Sequence, residues 1–500
     1  MRRIGRDEDA SASDPLASAD SPRAERRAAP DGPSRREQAK RRRGHGYLLS
    51  FGIVLAALAL VGAAAGLVGA VQGPRVTAVQ FDPEAAVSTT GSRLILTTSQ
   101  SLADIDSAQV TVTPAAEVSV ETSGRSVGIR FALPLRDDTD YTVTVEGVTG
   151  VGSSTSSTLT QTFRTPALEV YLLQRGDDGD TVFRTGLDGE DAVPVFTHPH
   201  IEDFRATAQH LVMSVQDDDG APQLIVTDAD GQGARTLPLP GDGPVQDLQT
   251  ADRGEAIGYT YTDPDMTAPG AQASVLYIAS LKAADSDAEP TRIDVAGAPA
   301  SAAQWRFVPE TDSLLLLTFE GRMLLTAAGG ADPVDLGSAA QLEGIARGST
   351  TAVVLRADGL YDVDLTDGSE TPLVAATGAS GYLGGIVPMA GGESLRQYTA
   401  SADESSEGGT TIYRVAEDGA AEPVFSVQGT AALLQTCVSP SGRYAAVLVQ
   451  PDAVANPYDT SYDLPLPERV ETHIIDLDDA GAEVSSLDAF AISWCQVPLR

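Results

Sequence analysis

Histidine, cysteine and serine side chains are the first candidates for chemistry in this 500-residue chain. His198 and His200 have the His-x-His spacing that some metal sites use, but Pro199 between them is more typical of a turn at a strand end. No cysteine–histidine pair has a third residue placed to orient it. We therefore predict no catalytic, cofactor-binding or metal-binding residues among these side chains.

Carboxylates are far more numerous, and many of them gather in five loop-like segments. The segments are RGDDGD (175–180), DDDGAP (217–222), TDPDMTAPGAQA (262–273), SADESSEGGT (401–410) and PDAVANPYDTSYDLPLPERV (451–470). Within them the candidate binding residues are Asp177, Asp178, Asp217, Asp218, Asp219, Asp263, Asp265, Asp403 and Glu404. Acidic groups on loops suit recognition of a cationic partner. Calcium is a weaker expectation, because no full EF-hand spacing occurs. Solubility alone is the alternative explanation.

The formal charge of the chain is −36, and it is unevenly distributed. Residues 1–46 hold 12 basic and 8 acidic side chains, so residues 47–500 hold 22 basic and 62 acidic ones. Such an acidic surface repels phosphate backbones, which argues against nucleic acid as a partner. It suits cationic ligands, divalent ions or high solubility.

The longest apolar stretch lies near the amino terminus. Residues 44–74 carry no formal charge, and YLLSFGIVLAALALVGAAAGLVGAV (47–71) is almost entirely apolar. Because about 20 helical residues span a bilayer, we predict a transmembrane helix over 47–72. The three arginines at 41–43 place the amino terminus in the cytoplasm under the positive-inside rule, and the rest of the chain outside it.

Residues 1–46 contain few large apolar side chains, so we predict a disordered, basic cytoplasmic tail. A cleaved signal peptide is the alternative to a permanent anchor, although both the leader and the apolar run are long for one. No cysteine directly follows the apolar run to accept a lipid anchor. The expected product is a single-pass protein of the cell membrane with an acidic extracytoplasmic domain.

Residues 75–166 alternate between apolar and polar residues, which is the period of β-strands. We expect seven strands with no helix among them, at 76–81, 94–98, 109–113, 117–121, 127–131, 141–146 and 158–164. Seven short strands with such turns favour a β-sandwich. LPLRDDTDYTVTVEGVTG (133–150), followed by LTQTFRTP (159–166), resembles bacterial Ig-like domains of the surface-layer type. The resemblance implies an Ig-like spacer or adhesive unit, with Tyr141 packed at a strand corner.

Residues 167–500 contain a sequence repeat. One apolar strand recurs as EVYLLQ (169–174), HLVMSVQ (210–216), EAIGYTY (255–261), SLLLLTF (313–319), AVVLRA (352–357), SLRQYTA (394–400) and YAAVLVQ (444–450). Two further strands follow it, and a fourth leads into the next repeat. Four antiparallel strands per repeat of about 40–45 residues predict a seven-bladed β-propeller. VSPSGRYAAVLV (438–449) resembles TolB-like and WD40-like propeller repeats. The α/β amino-terminal domain of TolB is absent, so its partners are not implied.

The two ends of the repeat region complement each other. The first repeat lacks an inner strand, and the chain ends in an unmatched one at 491–498. Pairing this segment with the hairpin that begins at Glu169 would close the ring and remove two exposed sheet edges. Cys437 and Cys495 occupy equivalent positions in neighbouring blades, so we predict a disulfide between them in an exported protein. Two buried thiols that do not meet are the alternative.

The expected architecture is all-β: an Ig-like β-sandwich at 75–166 and a seven-bladed β-propeller at 167–500, preceded by one transmembrane helix. In a propeller the five acidic segments join second to third strands and emerge on one face. We expect a membrane-anchored binding or scaffold protein of the bacterial cell envelope, with a protein or cell-envelope partner at this face. An envelope hydrolase or lyase is the alternative, favoured if histidine, arginine and tyrosine side chains converge at the channel.

Overall fold

β-Strands dominate the computed structural model of the chain. The structure describes Val54 and residues 73–251, 255–295, 298–299, 301–327, 332–400, 409–495 and 497–499. The predicted cytoplasmic tail (1–46) and, apart from Val54, the predicted transmembrane helix (47–72) lie outside these residues. Among the described residues, no helix has both the length and the apolar character needed to cross a bilayer.

The first seven strands form two antiparallel sheets. They are β1 (Val76–Gln80), β2 (Arg93–Thr98), β3 (Val110–Thr113), β4 (Val118–Ser123), β5 (Ser126–Phe131), β6 (Asp140–Thr149) and β7 (Ser156–Arg164). One sheet has the order β1-β2-β5-β4, and the other has the order β3-β6-β7. We call this two-sheet unit the sandwich.

The sandwich core follows from the alternation of side chains along its strands. Leu94 and Leu96 of β2 are fully buried, and so are Val143 and Val145 of β6, whereas the residues between them are more exposed. Successive side chains of a strand point to opposite faces, so one face of each sheet turns inward. These residues belong to a single cluster that draws on both sheets. Each fully buried aliphatic side chain stabilises the fold by roughly 1.5–3 kcal/mol.

A short helix, α1 (Pro83–Ser88), lies between β1 and β2, so the expectation of strands alone was wrong. The Asp82 carboxylate accepts the backbone N–H groups of Glu84 and Ala85, both at 3.1 Å, and Pro83 occupies the first turn. An aspartate cap and a proline at the first position favour a helix start. The helix has only six residues, which is too short for a helical period to be recognised.

Seven further sheets follow in chain order within the described residues, and we number them blade 1 to blade 7. Blades 1 to 3 contain β8 (Glu169–Gln174), β9 (Asp180–Gly186), β10 (Val193–His198); β11 (Ile201–Ala206), β12 (His210–Gln216), β13 (Pro222–Asp228), β14 (Arg235–Leu237); and β15 (Val245–Thr250), β16 (Ala256–Tyr261), β17 (Val275–Ser280), β18 (Thr291–Arg292). A hairpin of β19 (Asp294–Val295) and β20 (Ala298–Pro299) precedes blade 4.

Blades 4 to 7 each have four strands. They contain β21 (Gln304–Phe307), β22 (Ser313–Leu317), β23 (Arg322–Ala327), β24 (Val334–Ser338); β25 (Gln341–Ile345), β26 (Thr351–Arg356), β27 (Gly359–Asp364), β28 (Glu370–Pro372); β29 (Tyr382–Pro388), β30 (Ser394–Thr399), β31 (Gly409–Val415), β32 (Ala421–Gln428); and β33 (Ala432–Val438), β34 (Tyr444–Gln450), β37 (Glu471–Asp476), β38 (Ala482–Leu487). The connection between β34 and β37 holds a small hairpin of β35 (Tyr458–Asp459) and β36 (Leu466–Pro467).

In blades 2 to 7 the repeated apolar segments of the sequence form the second strand. In blade 1 the repeated segment is β8, which takes the second position because the end of the chain supplies the first. Every residue of β34 is buried, because neighbouring blades cover both of its faces. One shared core contains Leu395 and Ile412 of blade 6 together with Val447 and Ile475 of blade 7. The sheets therefore pack face to face in chain order, as the blades of a β-propeller do.

The end of the chain supplies the missing inner partner of blade 1. Leu173 and Phe490 exchange two backbone hydrogen bonds of 2.9 Å, and the Ser493 N–H donates to the Tyr171 carbonyl at 2.9 Å. The segment differs from the predicted strand at 491–498, because Ala491 has a φ of 52°. A left-handed residue turns the chain out of a strand, so pairing is confined to Phe490 and Ser493. We call residues 488–499 the closing segment.

A disulfide joins the closing segment to blade 7. Cys437 of β33 and Cys495 are bonded, with their Cα atoms 5.2 Å apart and a sequence separation of 58. Both cysteines belong to a buried cluster with Trp494 and Tyr444. Val87 of α1 is part of the same cluster, so the sandwich packs on the junction at which the ring closes.

Residues 132–139, which connect β5 to β6, form a further part of the contact between the sandwich and the propeller. A Cβ atom at Gly348 would come within 2.8 Å of the Leu133 side chain, so the two surfaces meet closely there. Gly348, in the β25–β26 connection, joins a first to a second strand. Consecutive antiparallel strands run in opposite directions, so first-to-second and second-to-third connections lie on opposite sides of a blade. The sandwich therefore leaves uncovered the side formed by second-to-third connections, which we call the loop face.

Ion pairs strengthen this contact. Arg443, in the connection between β33 and β34, pairs with Asp476 at 3.0 Å and with Asp137 of the sandwich at 3.3 Å. Arg136 of the sandwich pairs with Asp478 of the propeller at 2.8 Å. Asp137 is almost completely buried, and the arginine beside it supplies a counter-charge.

We predict that replacing both cysteines (Cys437→Ala with Cys495→Ala) lowers the free energy of unfolding by about 2–4 kcal/mol, because the disulfide restricts the unfolded chain. Urea unfolding with and without reductant measures the effect. Reductant should destabilise the wild type by a similar amount and leave the variant unchanged. An equal stability of wild type and variant under oxidising conditions would contradict the prediction.

We also predict that Arg443→Ala destabilises the protein by about 1–3 kcal/mol, because Asp137 is left buried without its counter-charge. Arg322→Ala is the matched control, since Arg322 forms an ion pair with Asp335 on the surface. That control should change the stability by less than about 0.5 kcal/mol. Indistinguishable urea midpoints for the two variants would show that the Arg443 pairs contribute nothing.

Candidate functional site

The predicted acidic residues that the structure describes lie in connections between second and third strands. Asp177 and Asp178 lie between β8 and β9, residues 217–219 lie between β12 and β13, and Asp263 and Asp265 lie between β16 and β17. All of them therefore belong to the loop face. Asp403 and Glu404 lie in the connection between β30 and β31, outside the described residues.

Three of these aspartates stabilise their own turns. Asp217 accepts the backbone N–H groups of Asp219 at 3.0 Å and Ala221 at 2.8 Å. Asp263 accepts the N–H of Gln272 at 2.7 Å, and Asp265 accepts the N–H and hydroxyl of Thr267 at 2.9 and 2.6 Å. The backbone bond from Ala221 lowers the pKa of Asp217, and the Thr267 hydroxyl lowers the pKa of Asp265. These carboxylates therefore act first as turn residues.

The other described members of the set are exposed. Asp177 and Asp178 occupy a tight turn, and Asp218 and Asp219 form the tip of the next blade's connection. Four carboxylates thus remain open to solvent on the loop face. They create a negative surface that can attract a cationic partner.

The long connection of blade 7, residues 451–470, is anchored to blades 1 and 2. The Tyr462 hydroxyl lies 2.8 and 2.9 Å from the two carboxylate oxygens of Asp180. The backbone N–H of Asp463 donates to Glu202 at 3.0 Å. Asp180 is fully buried, and it also accepts the N–H of Ile201 at 2.7 Å. The connection therefore crosses the junction of the ring and is fixed at its far end.

Arg175 completes this anchor. Its guanidinium carbon lies 3.4 Å from the centre of the Tyr462 ring and 5.0 Å from that of Phe490 in the closing segment. It also donates to the Glu202 carbonyl at 3.2 Å and the Leu464 carbonyl at 3.3 Å. Burial lowers the pKa of Arg175, but an arginine remains charged under physiological conditions. Burial and the Asp180 carboxylate raise the pKa of Tyr462, so its hydroxyl remains a donor.

The His-Pro-His segment is part of the same network. The Nε2 atom of His200 lies 2.6 Å from the Glu202 carboxylate, and its ring stacks on Tyr462 with centroids 4.3 Å apart. His198 accepts the His200 N–H at its Nδ1 atom, 3.2 Å away, which is a turn within the segment. In the part of the chain that the structure describes, no three metal-ligating side chains are grouped to hold an ion.

Histidine, arginine and tyrosine side chains thus converge where the 451–470 connection meets blades 1 and 2, whereas the hydrolase or lyase alternative expects them at the channel. Their reactive atoms are engaged with one another, however. The Tyr462 hydroxyl is directed to Asp180, and the Nε2 atom of His200 is directed to Glu202. Paired groups of this kind rigidify a loop.

Sequence reasoning did not identify Asp180, Glu202 or Tyr462 as partners. They are 22 to 282 residues apart in sequence, and nothing in their local motifs connects them. The available signal was the length of the 451–470 connection, which contains aromatic residues at Tyr458 and Tyr462. A long insertion with aromatic residues generally packs on the scaffold that carries it.

Exposed apolar side chains accompany the carboxylates on the loop face. Val454 is 82% exposed and Tyr458 is 51% exposed, both in the blade 7 connection. Tyr382 is 71% exposed, and Leu383 beside it is also open to solvent. Both lie at the start of β29, a first strand, and first strands begin at the loop face. Solvent-exposed aromatic and aliphatic groups among charges are typical of protein-recognition surfaces.

Comparisons with known proteins identify no family. No protein-family model matches the chain, and no curated protein sequence matches it. Among solved structures, the chain is similar to a putative TolB from Agrobacterium tumefaciens, with 13% identity over 65% of this chain and 90% of that one, at a TM-score of 0.33. TolB from Acinetobacter baumannii is 12% identical over 74% of this chain and 78% of that one, at a TM-score of 0.34. Because both TM-scores are below 0.5, the propeller assignment rests on the blade sheets described above.

We predict that Tyr462→Phe destabilises the protein by about 1–3 kcal/mol and makes residues 451–470 easier to cleave, because Asp180 loses a donor while remaining buried. Urea unfolding and limited proteolysis measure the two effects. Tyr458→Phe in the same connection is the control and should change stability by less than about 0.5 kcal/mol. Equal cleavage rates in both variants would contradict the anchoring role of Tyr462.

Proposed function

We propose that this protein is a membrane-anchored, extracytoplasmic binding protein of the bacterial cell envelope, and that its loop face recognises a partner protein. The observation that carries the proposal is the placement of the sandwich. It contacts the propeller at Gly348 and Arg443, both in first-to-second connections. The opposite side therefore remains available for a partner, and rigid scaffolds commonly present their recognition loops in this way.

The charge of the loop face indicates the kind of partner. Asp177, Asp178, Asp218 and Asp219 are exposed, and the chain beyond residue 46 has 62 acidic and 22 basic side chains. A basic protein surface would be attracted electrostatically and would associate faster at low salt. The apolar groups of Tyr382 and Val454 would supply the buried contacts that affinity requires.

We infer that the sandwich is an Ig-like module that acts as a stalk. In support, its sheet orders β1-β2-β5-β4 and β3-β6-β7 correspond to the ABED and CFG sheets of the immunoglobulin fold. Tyr141, near the start of β6, accepts the backbone N–H of Arg136 at 3.0 Å, as the tyrosine corner of such domains does. A module of this kind would hold the propeller away from the membrane.

The membrane anchor is proposed from the sequence. The apolar run at 47–71 follows the arginines at 41–43, and β1 begins only five residues later, at Val76. A disulfide between Cys437 and Cys495 fits an oxidising compartment outside the cytoplasm.

We predict that reversing loop-face charges (Asp177→Lys, Asp178→Lys and Asp218→Lys together) reduces capture of the partner by about tenfold or more, since each reversal replaces attraction with repulsion. Crosslinking in intact cells measures the capture. One protein that crosslinks to the wild type is identified, and its amount is compared between the wild type and the variants. The control carries three reversals on exposed sandwich positions, Asp104→Lys, Glu117→Lys and Glu146→Lys.

The control should capture the same protein as the wild type, and capture should weaken at higher salt. Equal capture by the loop-face variant and the control would contradict the proposed surface. Turnover of a cell-wall glycan or peptide by the purified full-length protein, without any captured partner, would favour the hydrolase or lyase alternative instead.

A further inference from the structure

A cavity lies inside the propeller on the side that the sandwich covers. Its volume is about 290 Å³, and first strands of blades 3 to 7 form its walls. Leu133 of the sandwich closes it on one side, and Trp494 of the closing segment lines it on another. Ligand pockets begin at about this size, so the space suits a small molecule. It is separate from the loop-face carboxylates.

The charged side chains that line the cavity carry a net positive charge, whereas the chain as a whole is negative. Among the described residues, they are Arg306, Arg347 and Glu343, two cations and one anion. Arg306 is only 6% exposed. Arg347 donates to the Trp494 carbonyl at 3.0 Å, which fixes its guanidinium at the wall. In a chain with a formal charge of −36, this is a locally positive environment.

The unused hydrogen-bonding groups at the cavity favour an acceptor. The indole N–H of Trp494 is buried and has no acceptor among the described residues, and Trp494 is 3% exposed. The Thr436 hydroxyl is also buried without a partner in that part of the chain. An indole nitrogen can only donate. Unsatisfied buried donors cost free energy, which a ligand with acceptor atoms would recover.

Glu343 is the only carboxylate among these lining groups, and its position is set by strand irregularities. It occupies a bulge in β25, where the pairing register shifts between Leu342 and Gly344. One carboxylate oxygen accepts the N–H of Ile386, at 3.2 Å, beside a second bulge in β29. Bulges redirect side chains and are common next to binding sites. Burial raises the pKa of Glu343, although the positive charge of Arg306 opposes this effect.

Apolar groups form the remainder of the wall. They include Phe307, Ile386, Met389 and the Trp494 ring. Such walls would contact the body of an organic ligand, whereas the guanidinium and indole donors would orient its charged end. An inorganic ion would leave these apolar surfaces uncontacted.

We propose that this cavity binds a small organic carboxylate with an apolar body. The carboxylate group meets Arg306, Arg347 and the Trp494 indole N–H, and the apolar part lies against Phe307 and Met389. Glu343 opposes the ligand's charge while ionised and stops opposing it once protonated. Binding is therefore tighter at lower pH. The proposal does not depend on the partner at the loop face.

Three probes with the same benzene ring, similar size and different charge test the proposal on the full-length protein: benzoate, benzyl alcohol and benzylamine. Ligand-detected NMR titration gives the affinities. Benzoate should bind saturably and at least about tenfold more tightly than the other two. Arg347→Gln should weaken benzoate binding by about tenfold, and Arg322→Gln, a surface control, should not change it. Equal binding of all three probes, or no effect of Arg347→Gln, would overturn the proposal.

The Glu343→Gln variant separates a role of Glu343 in binding from a purely structural role. Glutamine keeps an acceptor for the Ile386 N–H, so the fold should persist, which urea unfolding verifies. The variant should bind benzoate about threefold to tenfold more tightly at neutral pH. Wild-type affinity should rise as the pH falls from about 8 to about 5, whereas the variant should show a flat profile. Weaker benzoate binding by the variant, or the same pH profile in both proteins, would refute the role of Glu343.

Discussion

The pairing of Phe490 with Leu173 is the contact on which the rest of the propeller depends. A propeller exposes two sheet edges until its last segment meets its first blade, and unpaired edges are prone to association with other chains. Here two backbone hydrogen bonds of 2.9 Å close that gap, and the Cys437–Cys495 disulfide holds the closing segment against blade 7. The same segment carries Trp494 into the central cavity and Phe490 against Arg175. Ring closure, cavity wall and loop anchor therefore share one stretch of chain.

The position of the sandwich gives the two sides of the propeller different roles. Its 132–139 connection packs on first-to-second connections, where Arg443 pairs with Asp137. The cavity beneath Leu133 is locally positive. The loop face on the opposite side is open and negative, and the 451–470 connection is fixed there by Tyr462 and Asp180. A partner protein and a small anion would thus meet surfaces of opposite charge, which keeps the two kinds of recognition apart.

Local patterns predicted the strands well and the irregular features poorly. The apolar segment of each repeat is buried on both sides, so YAAVLVQ and its equivalents appear clearly in the sequence as β34 and the other second strands. Helix α1 was missed because six residues show no period, although Asp82 and Pro83 marked its start. The sequence placed the closing segment correctly beside Tyr171. The prediction of a regular strand there was wrong, because nothing in the sequence marks the left-handed conformation of Ala491. Glu343 and the Tyr462–Asp180 contact depend on bulges and long-range packing, which no local motif encodes.

Amide hydrogen exchange at the closing contact tests ring closure most directly. Exchange at the Leu173 and Phe490 amides of the native, oxidised protein reports how often that pair opens. If the segment closes the ring, both amides should be protected to the same degree as those in the middle of β12, such as Met213. Exchange of Leu173 and Phe490 at the rate of an exposed loop amide, such as that of Asp218, would contradict closure.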